Sequence, residues 1–142
     1  MYKLFNIETW NRRETYLHFK DFDFPFFNVC FNIDITDVYK KCKTEKYSIN
    51  LVLHFCSLIA LNAITEFKLR IKDTQIILFE KVDGGATILL KDNSIRYCLY
   101  EFSESYDVFS KTAFQNEEFT RQKAVSDSRT NKIDIVHFSV LP

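Results

Sequence analysis

Three histidines, His18, His54 and His137, are the side chains here best suited to moving protons near neutral pH, because imidazole can both take and return a proton there. Each stands alone. His18 has no orienting carboxylate close by in sequence, His54 falls among apolar residues of a helical run, and His137 lies on a β-prone run with Asp134 and Ile135. The ordinary reading of all three is a polar contact or a hydrogen-bonded core residue. Cys30, Cys42, Cys56 and Cys98 are far apart with no Cys-x-x-Cys pair, and neither they nor the histidines give the closely spaced ligand pairs of a zinc site, so no metal is expected. Gly84-Gly85 lacks the Gly-x-Gly-x-x-Gly frame of a phosphate cradle and reads as a turn. No Ser-His-Asp or Cys-His arrangement stands out. Residue chemistry alone names no reaction.

The composition narrows the class. Nineteen basic residues balance nineteen acidic ones over 142 positions, and neither half forms a basic arm, so nucleic acid is not an expected partner. No signal-like leader precedes Trp10, and the scattered cysteines read as reduced thiols in a cytoplasmic protein. The length fits one domain. Fifteen Phe and seven Tyr against two Gly and two Pro imply regular elements with few tight turns. They also supply more rings than one small core needs, so some should line a pocket or a subunit contact.

The elements that must position these side chains are organised around Tyr47–Asp73. Ser48 is placed to cap a helix whose apolar residues run nearly all the way round, which predicts a buried helix. The run Ile49–Ile64 is short of the ~20 residues a bilayer requires and contains Asn50, His54, Ser57 and Asn62, so a membrane span is not expected. After Glu66 the period changes, and Phe67, Leu69 and Ile71 alternate with Lys68, Arg70 and Lys72 as in a strand with one wet face. Before this, Tyr2–Ile7 reads as an edge strand and Thr9 as the cap of a helix reaching Phe19, with Arg12 and Arg13 on it. Pro25 breaks the pattern, Phe26–Ile35 reads as a strand, and Thr36 begins a short helix to about Lys43. Asp73–Thr74 joins a hairpin with Gln75–Phe79, and Asp92–Asn93 joins Ala86–Leu90 to Ser94–Tyr100. Ser103 with Glu104 opens a helix to about Ala124, Val125–Asn131 is loop-like, and Ile133–Leu141 is a last β-prone run. A strand that apolar should leave a bare edge for an interface or for further polypeptide.

Four segments, in order and covering the chain, resemble the chloramphenicol acetyltransferase family. Trp10-Asn11-Arg12-Arg13-Glu14 is similar to its Trp-x-Arg-(Arg/Lys)-Glu start, and Ile33-Asp34-Ile35-Thr36 to its Ile-Asp-Ile-Thr. Glu66-Phe67-Lys68-Leu69-Arg70-Ile71-Lys72-Asp73 is similar to its Glu-(Leu/Phe)-Arg-x-x-Ile-Lys-Asp, with the hairpin and a matching Thr87 after it. Ser139-Val140-Leu141-Pro142 resembles the family's Ser-Ala-Leu-Pro.

The resemblance implies an α/β fold of the CoA-dependent acyltransferase type, a mixed sheet with flanking helices, assembled as a homotrimer with sites between subunits. It implies acetyl-CoA as co-substrate and a small hydroxylated acceptor such as chloramphenicol. The family's general base is the histidine of a His-His-x-x-x-Asp-Gly motif, which this sequence lacks. The expectation is that the base, an oxyanion-stabilising serine and most of the CoA tunnel lie past Pro142, and that the fold is incomplete at its C-terminus. The acceptor side would remain. His18 and Phe19 stand in place of the Phe-Tyr pair that contacts the antibiotic, Phe24 and Phe26 flank Pro25 among further pocket positions, and Arg96 takes the place of a family phenylalanine. Arg12 matches the arginine that pairs with the aspartate of the histidine motif and here would have no partner. The alternative is a truncated, non-catalytic relative that binds an aromatic ligand or a partner subunit.

Overall fold

Ser48 begins the element on which the rest is built. Its Oγ accepts a hydrogen bond from the Leu51 N–H, satisfying a donor that the first helical turn leaves free, and helix α3 (Ile49–Ala63) follows. The computed structural model describes residues 1–123 and 126–140. Along α3, Leu51, His54 and Leu58 are buried while Leu53, Cys56, Ala60 and Ala63 face outward. The sequence predicted burial on every side. The neighbouring elements α2 (Thr36–Glu45), α4 (Tyr106–Gln122) and strand β4 (Asp83–Leu89) cover only part of the helix, so an apolar stripe stays open.

Two three-stranded sheets lie beside these helices. In the first, β3 (Gln75–Phe79) pairs antiparallel with β1 (Tyr2–Leu4) on one side and β2 (Leu69–Lys72) on the other. In the second, β4 lies between β5 (Ile95–Tyr100), antiparallel, and β6 (Ile135–Phe138), parallel. Both predicted hairpins form. Their turns place Asp73 and Asn93 at φ of 55° and 63°, left-handed values that Asp and Asn tolerate better than most residues. The core joins α3 and α4 to one face of the second sheet through Leu58, Phe109, Ala113, Ile88, Cys98 and Tyr100. A smaller cluster of Ile77, Phe79 and Val82 sits under the first sheet.

Several predicted elements change. Gly84 and Gly85 are not a turn: they lie inside β4, opposite Tyr100 and Leu99 on one side and Val136 and His137 on the other. Their role is close approach. A Cβ on Gly84 would come within 3.2 Å of the Phe138 ring and 3.3 Å of Leu58, and one on Gly85 within 2.9 Å of His137 Nδ1. Phe26–Ile35 is not a strand. It is β-prone in composition, but among the described residues no neighbouring strand pairs with it, and its apolar side chains other than half-buried Ile35 are exposed. The first helix, α1 (Arg13–Phe19), begins three residues later than a cap at Thr9 predicted, after turns at its start, and Arg12 rather than Thr9 is at its N-terminal boundary. Thr65–Lys68 forms a 3₁₀ turn, so β2 starts at Leu69 instead of Phe67.

Helix α4 begins at Tyr106, and its predicted end at Ala124 lies outside the described residues, as does Val125. The segment read as loop carries a 3₁₀ turn, Ser128–Asn131, capped by the Asp127 carboxylate. Arg129 ties it down, donating to Asp127, Glu101 and Asn116. The hydrogen bond from Arg129 holds the Asp127 carboxyl below its usual pKa. Strand β6 keeps one side without a strand partner among the described residues, and Leu141 at the end of the predicted run is not described. No described helix is long and apolar enough to cross a membrane.

Candidate functional site

Helix α1 and the residue before it place Arg12, Tyr16 and Phe19 four and three positions apart, on one face of the helical path. That face looks across a gap at Leu69 and Ile71 of β2 and Ile76 of β3, with Trp10 and Arg70 also bordering it. Trp10 is fixed by an edge-on contact with Phe5, ring centroids 5.6 Å apart, and lies 6.4 Å from Tyr16. Pro25 and Phe27 of the irregular segment add a third wall. The hollow is about 500 Å³ and mostly apolar, within the size range of small-molecule sites.

Its charged residues, Arg12, Glu66 and Arg70, are held to different degrees. Arg12, expected to have no partner, has one among the described residues: its Nε lies 3.9 Å from Glu66 Oε1. Both side chains are partly exposed, so the pair contributes at most about 1 kcal/mol. Arg70 is held more firmly. Nη1 donates to the carbonyls of Phe67 and Leu69 at 2.8 and 2.7 Å, Nε to Ile133 at 2.6 Å and Nη2 to Ile135 at 3.4 Å. Burial lowers the pKa of this guanidinium, and Asp134 opposes that shift. The alternating pattern assigned Arg70 to a wet face, whereas backbone carbonyls take its donors.

A cleft walled mostly by apolar and aromatic side chains suits an uncharged molecule with aromatic and hydroxyl groups. Among the described residues no cluster of His, Cys, Asp and Glu is arranged to hold a metal ion.

Of the residues singled out from the sequence, the hollow brings together Arg12 and Phe19. His18 turns aside and packs on Phe19 and Phe22, at centroid distances of 4.8 and 5.3 Å. Phe24 and Phe26 are 82% and 83% exposed, and their neighbours Pro25 and Phe27 line the hollow in their place. Arg96 belongs to β5 in the other sheet, where it donates to Ser94 Oγ and the Ile95 carbonyl. Sequence reasoning missed Tyr16, Glu66, Arg70 and Phe27. Helical spacing from Arg12 could have found Tyr16; the others have no local signal.

A second hollow, about 580 Å³, lies on the second sheet beside Thr87, Tyr97, Thr130 and His137. No carboxylate hydrogen-bonds any of the three histidines among the described residues. His54 is buried, its Nδ1 2.7 Å from the Asn50 carbonyl, with its ring between Tyr100 and Phe138. Desolvation lowers its pKa, against the opposing influence of the Asn50 carbonyl and Glu117.

The family model for chloramphenicol acetyltransferase matches residues 1–141. The chain belongs to that family. A solved structure described as chloramphenicol acetyltransferase superposes with a TM-score of 0.79 at 20% identity. It covers 98% of this chain, and the chain spans 64% of its length. At that identity the likeness shows the fold, a mixed α/β arrangement of the chloramphenicol acetyltransferase type. Comparison with curated protein sequences gave no match. In this chloramphenicol acetyltransferase family member, the hollow beside Phe19 is therefore the first place to look for a small-molecule site.

Proposed function

We propose that these residues form the acceptor side of an acetyl-CoA-dependent O-acetyltransferase for a small hydroxylated acceptor such as chloramphenicol. The observation that carries this reading is the apolar hollow bounded by Trp10, Tyr16 and Phe19, with Arg12 at its edge. In the reaction the acceptor hydroxyl attacks the thioester carbonyl as a base removes its proton, a C–O bond forms, the C–S bond breaks, and CoA leaves as the thiol. The base in this proposal is a histidine outside these 142 residues. Among the described residues neither His18, His54 nor His137 has a carboxylate hydrogen-bonded to orient it, and His54 is buried. We further propose a cytoplasmic homotrimer with the acetyl-CoA side of each site formed by polypeptide outside these 142 residues.

For the 142 residues by themselves the same histidine geometry favours a second reading, binding of an aromatic ligand without chemistry. Calorimetric titration with chloramphenicol and with acetyl-CoA, beside an assay for released CoA thiol, separates the two. The expected result is uptake of chloramphenicol by this chain with thiol release at background, and turnover once polypeptide carrying the His-x-x-x-Asp-Gly motif completes the protein. A completed protein that still releases no thiol above background defeats the enzyme reading. A chain that takes up no chloramphenicol defeats the assignment of the hollow.

A further inference from the structure

We propose that Arg70 is a positioning residue, a clamp that makes the shape of the Phe19 hollow depend on where the chain entering β6 is held. Arg70 belongs to β2, the wall of the hollow opposite α1, and from the Ile77 face of that strand its guanidinium reaches two separate stretches of backbone: Phe67 and Leu69 at the start of β2, and Ile133 and Ile135 at the start of β6. The two stretches belong to different sheets. No strand pairing joins those sheets among the described residues, so side chains carry the connection there: the Arg70 hydrogen bonds, beside Val136 packed on the cluster of Ile77, Phe79 and Val82. A planar fork with donors on three nitrogens can hold both stretches in one geometry, and a single ammonium cannot. The Ile133 and Ile135 carbonyls lie on the side of β6 away from its pairing with β4, so the same clamp satisfies acceptors that an unpaired edge would leave free.

If the clamp is released, two things change together: the start of β6 loosens, and the wall opposite α1 loses its fixed position. Trp10 reports the second change, because it is the sole tryptophan of the chain and lies in the same hollow. The ligand consequence rests on the acceptor reading above; the structural consequence does not.

The test compares Arg70→Gln and Arg70→Lys with Arg121→Gln, which removes another arginine-to-carbonyl tie, to Leu89, away from the hollow. Three readouts are taken on the full chain well below its melting temperature. Hydrogen exchange at residues 133–138 is expected to rise by about tenfold or more in Arg70→Gln, with α3 amides unchanged as the control for folding. Acrylamide quenching of Trp10 is expected to rise in the same variant. Neither change is expected in Arg121→Gln, and Arg70→Lys is expected to resemble Arg70→Gln. Chloramphenicol titrated against Trp10 fluorescence is expected to bind about tenfold more weakly to Arg70→Gln.

A faster-exchanging β6 with unchanged Trp10 quenching would overturn the proposal, since Arg70 would then hold a strand without shaping the hollow. Unchanged exchange would overturn it too, as would a lysine variant that restored both readouts. If chloramphenicol fails to alter Trp10 fluorescence in the unmutated chain, the acceptor reading falls while exchange and quenching still decide the clamp.

Discussion

Asn62 and Val82 are joined by two reciprocal hydrogen bonds: the Asn62 Oδ1 accepts from the Val82 N–H at 2.8 Å, and Nδ2 donates to the Val82 carbonyl at 2.9 Å. The side chain thereby stands in for a missing strand where the chain passes from the first sheet to the second. Val82 is fully buried, so no water replaces the amide. Asn62→Ala leaves both backbone groups unsatisfied and is expected to lower stability by about 2–4 kcal/mol, from the cost of orphaned buried polar groups. Urea denaturation followed by far-ultraviolet circular dichroism measures it. Asn62→Asp is expected to be no milder at neutral pH, because a carboxylate would face the carbonyls of Val82 and Leu58. A loss below about 0.5 kcal/mol in both variants would show that the pairing does not hold the crossover.

His54 makes stability fall in mild acid. Burial lowers its pKa in the folded chain, so the unfolded chain binds the proton first. The stabilisation is full above the unfolded value of about 6.5 and is lost as pH drops below it. Its neighbours do not rescue the charge: Tyr100 and Phe138 present rings, and Glu117 is already bonded to the Tyr100 hydroxyl at 2.5 Å. The expected outcome is a melting temperature that declines from about pH 7 to 5 in the native chain and declines less steeply in His54→Gln, whatever that variant's absolute stability. Parallel slopes would remove His54 as the cause.

What the sequence made legible were features decided within a few residues. Ser48 caps α3 because its hydroxyl meets an N–H three positions on, and Asp73 and Asn93 turn hairpins because they tolerate positive φ. What stayed hidden was decided at a distance. Gly84 and Gly85 look like a flexible turn until Phe138 and His137 arrive beside them. Arg70 looks solvated until carbonyls 63 and 65 residues away accept its donors. The candidate site divides in the same way. Arg12 and Phe19 follow from the resemblance and Tyr16 from helical spacing, but Phe27 displaces Phe26 because the segment bearing them is irregular, and alternation cannot assign its faces.

The cysteines should sort into two kinetic classes. Cys30 and Cys56 are exposed, whereas Cys42 and Cys98 are buried. Burial pushes the Cys98 thiol up to about 11, with the Thr120 hydroxyl opposing that shift, so it has almost no thiolate near pH 8. A thiol reagent at that pH is expected to label Cys30 and Cys56 promptly and Cys42 and Cys98 only as the chain unfolds. Peptide mapping after a short pulse identifies the sites. Prompt labelling of Cys98 would mean that the packing of β5 against α4 is looser than its burial indicates.

The segment from Phe24 to Ile33 leaves Phe24, Phe26, Phe27, Val29, Phe31 and Ile33 each more than half exposed, with Phe27 at 90%. Contiguous apolar surface of this kind is uncommon on a monomer and drives association. Since these side chains contribute little to the fold, exchanging Phe26 and Phe31 for serine is expected to change stability by no more than about 0.5 kcal/mol, as for other exposed positions. The same double variant should bind less of a hydrophobic dye and show weaker concentration-dependent association by sedimentation. Phe26 and Phe31 are chosen because neither lines the hollow, so chloramphenicol uptake serves as an internal check on the site. A large stability loss with unchanged dye binding would mean that the segment is packed into the chain in solution, and that its exposed faces are not the surface on which association depends.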